Sequence, residues 1–342
     1  MKKPLLVLSV IICAGVAFAA FGTHREALTS GAAKSTAREY AAARTDLQEA
    51  LALAKDDSQR AQARISLGQT FVAERNFESA RAEYGKVLDL KDATAMVKAM
   101  AQMKIAQSLL AEKKRAEARE AFVKVLAMKD APTALRNQAQ NSVAETYLLD
   151  KKYPEARVEF AKILSSGDSL PPQKARAQLS IAQTFTSEKK YPEARAEFAK
   201  VPALPGVPES AKVQGEFGSA QAYYAEEKFT EARAGFAKVL KMPAVPLPLQ
   251  IQARFNTAQI LTDGRDYVQA KAELEQLLKI EGLSPAQKAN IQAQLQGIEA
   301  REKLKAEKEK KAAKAPAAAA EAKKKEAVPV EEPAGVKKPV AG

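Results

Sequence analysis

The sequence predicts an all-α solenoid of repeated helix pairs, and three observations carry that prediction. A motif recurs at a constant interval of about 38 residues: FESARAEYGKV from Phe77, RAEAREAFVKV from Arg115, YPEARVEFAKI from Tyr153, YPEARAEFAKV from Tyr191, FTEARAGFAKV from Phe229 and YVQAKAELEQL from Tyr267. The 46% hydrophobic content is largely alanine, with 6% aromatic residues and no Trp, which suits close-packed helices better than a β core. Within each copy, small and apolar residues keep the three- and four-residue spacing of one helix face. A 342-residue chain built this way is quasi-one-dimensional and needs no division into globular domains.

Residues 1–20 read as an export signal. Lys2 and Lys3 precede the apolar run Leu5 to Ala14, and Ala17-Phe18-Ala19 offers small residues at the cleavage positions, so a mature chain would start at Ala20. The uncharged stretch Pro4 to Phe21 leaves an uncleaved N-terminal membrane anchor as the alternative. Either way the repeats face away from the cytoplasm, periplasmic or secreted. Cys13, the only cysteine, reads as an apolar residue of this signal, since Ile12 before it is too large for lipidation cleavage. His24 is the only histidine, so the body of the chain has no thiol nucleophile, imidazole base, Cys/His metal site or disulfide.

Residues 21–56 are expected to be helical: Tyr40, Ala43, Leu47 and Leu51 share one helix face. They read as a degenerate half-repeat capping the array, because a terminal repeat has only one neighbour. Residues 57–285 hold six repeats of two helical segments each. The first segment carries a small residue with a large one three positions on: Gly68 and Phe71, Ala106 and Leu109, Ala144 and Tyr147, Ala182 and Phe185, Ala220 and Tyr223, Ala258 and Leu261. That pairing lets two helices approach closely and lock by size. The second segment carries an aromatic, then alanine, then an aromatic or leucine, as in Tyr191, Ala194 and Phe198.

These residues resemble the tetratricopeptide repeat pattern, L-G-x-x-Y in helix A and Y-x-x-A-x-x-x-F in helix B. The resemblance implies a right-handed α-α superhelical solenoid of six helix pairs with helical caps, whose A helices line a concave groove. The family repeat is shorter, at about 34 residues, and its early Trp and junction Pro are missing here. The difference of four is about one helical turn. It falls before each helix A, where Ala131-Pro132, Leu170-Pro171, Val207-Pro208 and Ser284-Pro285 mark starts. An apolar residue recurs in the connectors at Leu90, Met128, Leu204, Met242 and Ile280, with Ser166 the exception.

Most of the 12 Phe and 8 Tyr occupy the repeating core slots, and Phe217, Tyr224 and Phe255 are left over. By resemblance they fall on groove-facing columns of helix A, where they are candidate anchors for a bound peptide; packing between neighbouring A helices is the alternative, as Ile65, Met103 and Leu179 share the Phe217 column. A second groove-facing column holds Gln69, Gln107, Glu145, Gln183, Gln221 and Gln259. An amide offers donors and an acceptor, so Gln183, Gln221 and Gln259 are candidate partners for a peptide backbone, or simply exposed helix formers. The Lys/Asn clamp by which some members of the family hold a C-terminal carboxylate is absent.

Helix B carries a basic column, Arg81, Arg119, Arg157, Arg195, Arg233 and Lys271, each Arg mostly four positions after an aromatic and within reach of that ring. Glu117, Glu155, Glu193 and Glu231 interleave with it, so a solvated convex face is expected. Residues 286–314 read as a charged capping helix and 315–342, rich in Ala, Lys, Pro and Glu, as a disordered tail.

The formal net charge of +13 does not imply nucleic acid, because the basic columns alternate with Glu and lack an exposed aromatic platform. Acidic envelope polymers or a membrane surface are more plausible targets for the tail. No phosphate loop, nucleophile elbow or metal spacing is present, so neither an enzyme nor a cofactor is expected. The sequence therefore points to an exported interaction scaffold binding a protein or peptide in the groove; a spacer tethered through its basic tail is the alternative.

Overall fold

The computed structural model describes the backbone of residues 21–326 and the side chains of residues 21–312. The expected export signal and residues 327–342 of the expected tail lie outside the described residues. Fifteen α-helices and one 3-10 turn follow one another, with no strand among the described residues. The first helix of each repeat has 17 residues, and these helices recur at the constant interval of the sequence motif: α3 (Asp57–Ala73), α5 (Ala95–Ala111), α7 (Thr133–Leu149), α9 (Pro171–Ser187), α11 (Glu209–Ala225) and α13 (Leu247–Asp263). Their partners are α4 (Phe77–Leu88), α6 (Arg115–Ala127), α8 (Tyr153–Ser165), α10 (Tyr191–Ala199), α12 (Phe229–Leu240) and α14 (Tyr267–Leu278).

The chain divides after Gly215 into two compact units. In the first, successive helices pack on one another, and the A helices α3, α5 and α7 also touch side by side. In the second, α12, α13, α14 and α15 (Pro285–Glu326) pack in sequence.

Two expectations at the ends need correction. The N-terminal segment is not half a repeat but a complete pair, α1 (His24–Thr36) and α2 (Tyr40–Ala52). Helix α1 buries only His24, Ala27 and Gly31, so it carries no run of large apolar residues for a periodicity to reveal. At the other end, α15 continues to Glu326, through a segment expected to lie outside regular structure. Alanine, lysine and glutamate are strong helix formers, which favours continuing the helix once it has started.

Each pair closes on a small-to-large contact between helix A and helix B. Gly68 faces Tyr84, and a Cβ on Gly68 would lie only 2.7 Å from the ring carbon Cζ of that tyrosine. The corresponding residues are Ala106 and Phe122, Ala144 and Phe160, Ala220 and Phe236, and Ala258 and Leu274, all buried. Glycine thus stands opposite the longer tyrosine and alanine opposite phenylalanine or leucine, so the pair volume stays nearly constant. The connector residues Leu90, Met128 and Ile280 are half-buried against these cores, as expected.

The turn inside each pair uses a left-handed residue that is not glycine. Arg38, Arg75, Lys113, Lys151, Lys189, Glu227 and Arg265 all have φ between 57° and 67°. At α7, the Lys151 amide donates to the Leu148 carbonyl and the Lys152 amide to the Tyr147 carbonyl, each at 2.9 Å, which caps the helix as a Schellman motif. The left-handed region costs a β-carbon about 1–2 kcal/mol, part of which glycine returns in chain entropy. Lys151→Gly is therefore expected to stabilise by about 0.5–1 kcal/mol, read from the urea midpoint. A lower midpoint would show that the exposed Lys151 side chain contributes more than its backbone strain removes.

A polar staple recurs at half the repeat, 19 residues from helix A to helix B. Arg64 pairs with Glu83 at 2.9 Å, Gln102 donates to the Ala121 carbonyl at 3.1 Å, and Gln178 donates to the Glu197 carbonyl at 3.0 Å. Arg254 pairs with Glu273 at 2.7 Å. In α11 the column residue is Glu216, and with Gly235 opposite it turns to Lys238 at 2.6 Å. These bonds tie helix A to helix B at the edge of the pair core and set the rotation of one helix against the other.

Candidate peptide-binding face

Helix A presents its glutamine column to solvent: Gln69, Gln107, Gln183, Gln221 and Gln259 are all exposed. Gln183 lies in the first unit and Gln221 and Gln259 in the second. The amide of Gln259 is already engaged, donating to both carboxylate oxygens of Asp263 at 2.9 Å. Glu145 in the same column pairs with Arg176 at 3.1 Å.

Between α3 and α5 this column borders a cleft of about 150 Å³, lined by Gln69, Gln107, Lys104, Ser108 and Tyr84. Tyr84 belongs to helix B, and it reaches this face because Gly68 leaves a notch for its ring. Burial raises the Tyr84 hydroxyl to about 12, so it stays a neutral donor. Burial also lowers the Lys104 ammonium below the usual lysine range. A second cleft of about 270 Å³, between α7 and α9, is lined by Asn137, Asn141, Gln173 and Arg176.

The three left-over aromatics do not form one exposed cluster. Phe217 is 4% exposed, with its ring 5.6 Å from that of Phe236, so it is a core residue and not a peptide anchor. Its column already holds Met103 and Leu179, both buried, which is the physical reason: the column faces the neighbouring helix. Phe255 is half-buried against the core that contains Leu261 and Leu274. Tyr224 is half-buried and meets Phe229 edge-on, with ring centroids 5.9 Å apart.

The basic column of helix B also differs from expectation. Its interleaved glutamates are exposed, but Arg81, Arg119 and Arg157 lie across the repeat junction. Arg119 places its guanidinium 3.9 Å from the centre of the Tyr147 ring in the next helix A, donates to Thr146 Oγ1 at 3.0 Å and pairs with Asp150 at 2.5 Å. Arg157 repeats this with Phe185 at 4.2 Å, Thr184 at 3.0 Å and Glu188 at 2.6 Å. Arg44 lies over Phe71 and pairs with Glu74, Arg81 pairs with Glu112, and Lys271 pairs with Glu302 at 2.6 Å.

The ring under each cation thus belongs to the next repeat, not to the same helix four positions earlier. Arg81, Arg119 and Arg157 each stand 31 residues before the acid that holds them, a distance too long for a reading of one helix at a time. The acid column Glu74, Glu112, Asp150 and Glu188, at constant spacing, is the sequence signal that would have found it. Burial pushes the Asp150 carboxyl up, but hydrogen bonds and charge from Arg119 and Arg115 outweigh it and leave the group below the usual carboxylate range. Among the described residues, no three His, Cys, Asp or Glu side chains gather as a metal site, and no helix is long and apolar enough to cross a membrane.

Comparison with known proteins agrees with this geometry. The tetratricopeptide repeat family model matches residues 103–171 and 217–286. Among solved structures, the chain is similar to the C-terminal part of a TPR repeat-containing protein from Cytophaga hutchinsonii, at 16% identity over 76% of this chain and 97% of that one, with a TM-score of 0.52. It is also similar to the apo form of RapI, at 11% identity over 74% of this chain and 75% of that one, with a TM-score of 0.52. At these identities the likeness is one of fold. No curated protein matches the chain. Residues 103–171 and 217–286 thus match the tetratricopeptide repeat, and the chain is an α-helical solenoid of helix pairs with that fold, each pair lengthened by about one helical turn.

Proposed function

We propose that this protein is an exported, non-catalytic scaffold that holds an extended peptide or a helix of a partner protein against its A helices. The tetratricopeptide fold suits a protein-interaction role, and the observation that carries the reading is the exposed glutamine column, which borders a polar cleft between α3 and α5. Gln69, Gln107, Lys104 and the Tyr84 hydroxyl surround one such cleft. Side-chain amides beside small clefts give a peptide backbone both donors and acceptors without demanding a particular sequence. Export is supported by Lys2 and Lys3 before the apolar run at Leu5 to Ala14.

A photo-crosslinking residue introduced at Gln107 or Gln183, compared with one at the exposed Lys124 of helix B, tests the face. Adducts with a partner from envelope extract are expected from the two glutamine positions and not from position 124. Equal adducts from all three positions would sink the groove reading.

One observation favours a second reading. Residues of α15 from Glu299 onward are largely exposed and charged, which suits a solvated spacer tethered by a basic end to acidic envelope polymers or a membrane surface. Tethering of that kind weakens steeply with added salt, whereas capture on the glutamine face does not.

A further inference from the structure

The arginine clasp described above is missing at one junction within the second unit, and a cavity takes its place. For Arg119 the following helix A supplies a hydroxyl, a ring and a carboxylate in Thr146, Tyr147 and Asp150, for Arg157 it supplies Thr184, Phe185 and Glu188, and for Arg81 it supplies the carboxylate of Glu112. The residues in those three columns for Arg233 are Ile260, Leu261 and Gly264. None of them can pair with a guanidinium, and among the described residues no carboxylate lies within ion-pair distance of Arg233. Its one hydrogen bond, to the Gln269 side chain, is long at 3.5 Å.

The space left behind measures about 800 Å³ and lies between α12 and the end of α13, with Arg233, Leu261 and Gly264 on its wall. Phe229 forms an apolar side of it and is 41% exposed, whereas Phe77, Tyr153 and Tyr267 in the same column are half-buried. Asp263 and Asp266 also line the cavity. The first is held by the Gln259 amide, and the second caps α14 by accepting the Gln269 amide hydrogen at 3.2 Å.

We infer that this cavity is a binding site for a partner peptide in which an aromatic residue is flanked by one acidic and one basic residue. The aromatic ring lies on Phe229, the exposed apolar wall of the cavity. The carboxylate pairs with Arg233 in place of the missing acid, the arrangement that arginine geometry favours. The two aspartates on the rim select against a polyacidic segment and match the basic neighbour. No residue of the glutamine column lines the cavity, so the site does not depend on the reading of that face.

The test is calorimetric titration of the full chain with a capped peptide carrying lysine, phenylalanine and glutamate in succession between glycines. Saturable binding is expected, weakened by about tenfold or more in Arg233→Gln, which removes a charged hydrogen-bond partner. Gly264→Glu restores the absent carboxylate and is expected to weaken binding similarly, by occupying Arg233, while melting no lower than the native chain. Gly264 has φ −73°, which any residue adopts; an added Cβ would lie 3.3 Å from the Ile260 carbonyl oxygen, a contact that a shift of a few tenths of an ångström relieves. A peptide with alanine for phenylalanine is expected to bind at least about tenfold more weakly. Absence of saturable binding at millimolar peptide, or binding unchanged in both variants, would overturn the proposal. Binding that survives Arg233→Gln but falls on replacing Gln107 and Gln183 would also overturn it, by placing the peptide on the glutamine column.

Discussion

Replacing Phe160 by Ala is expected to destabilise the first unit by about 3–5 kcal/mol, among the larger effects of any single truncation. The ring is fully buried between α7, α8 and α9, where its neighbours include Ala144, Ala156 and Ala177. The three alanines cannot swing into the vacated space, and only the larger neighbours in the cluster, Ile163 and Ile181 among them, can relax into part of it, so the cost stays within that range. Urea unfolding followed by circular dichroism reads the effect as a lower midpoint or a separate early transition. Phe229→Ala, at the exposed edge of another repeat, serves as the comparison and should cost well under half as much. A loss below about 2 kcal/mol for Phe160→Ala would show that the helices slide together to close the gap.

Gly68→Ala is the second large effect, at about 1–3 kcal/mol, and its origin is the reverse one. Here a single added methyl meets the ring of the buried Tyr84, closer than van der Waals contact to three of its carbons, and neither ring nor backbone can accommodate it without moving. The other repeats already place alanine in this position, but always against phenylalanine or leucine. Tyr84→Phe in the same chain should therefore recover most of the loss, because a ring without its hydroxyl can shift as Phe122 and Phe160 do. The double-mutant cycle is expected to show a favourable coupling of about 1 kcal/mol or more. Additive losses would mean that the notch at Gly68 serves something other than the tyrosine.

The repeat, the helix pairs and their core slots were legible because they are local. A small residue in one helix and a large one in the next, copied in every repeat, leave a periodic trace that survives substitution. Phe217 misled for the opposite reason: it sits on a face whose burial depends on a neighbouring helix, and a single helix gives no sign of that. The same holds for Arg119 and Arg157, which look like solvent-facing cations within their own helices and are held by the next repeat. The first pair was half visible, since α1 packs through His24, Ala27 and Gly31, and small residues carry little hydrophobic signal. The glutamine column could be placed on the surface because its spacing keeps it on one helix face, whereas the clefts beside it depend on the gap between two helices and leave no trace in either.

The missing clasp at Gly264 has a consequence for how the second unit holds together. A linear array is as cooperative as the couplings between neighbouring pairs, and those couplings combine apolar packing with a basic latch at the junctions held by Arg44, Arg81, Arg119, Arg157 and Lys271. Where the latch is absent, packing alone transmits order from α12 to α13. That junction becomes a seam: fluctuations that open the C-terminal pair and α15 stop there instead of spreading, and the segment beyond it melts as its own cooperative block. Anything that seats in the gap bridges the seam, so that binding at one edge stiffens the end of the array.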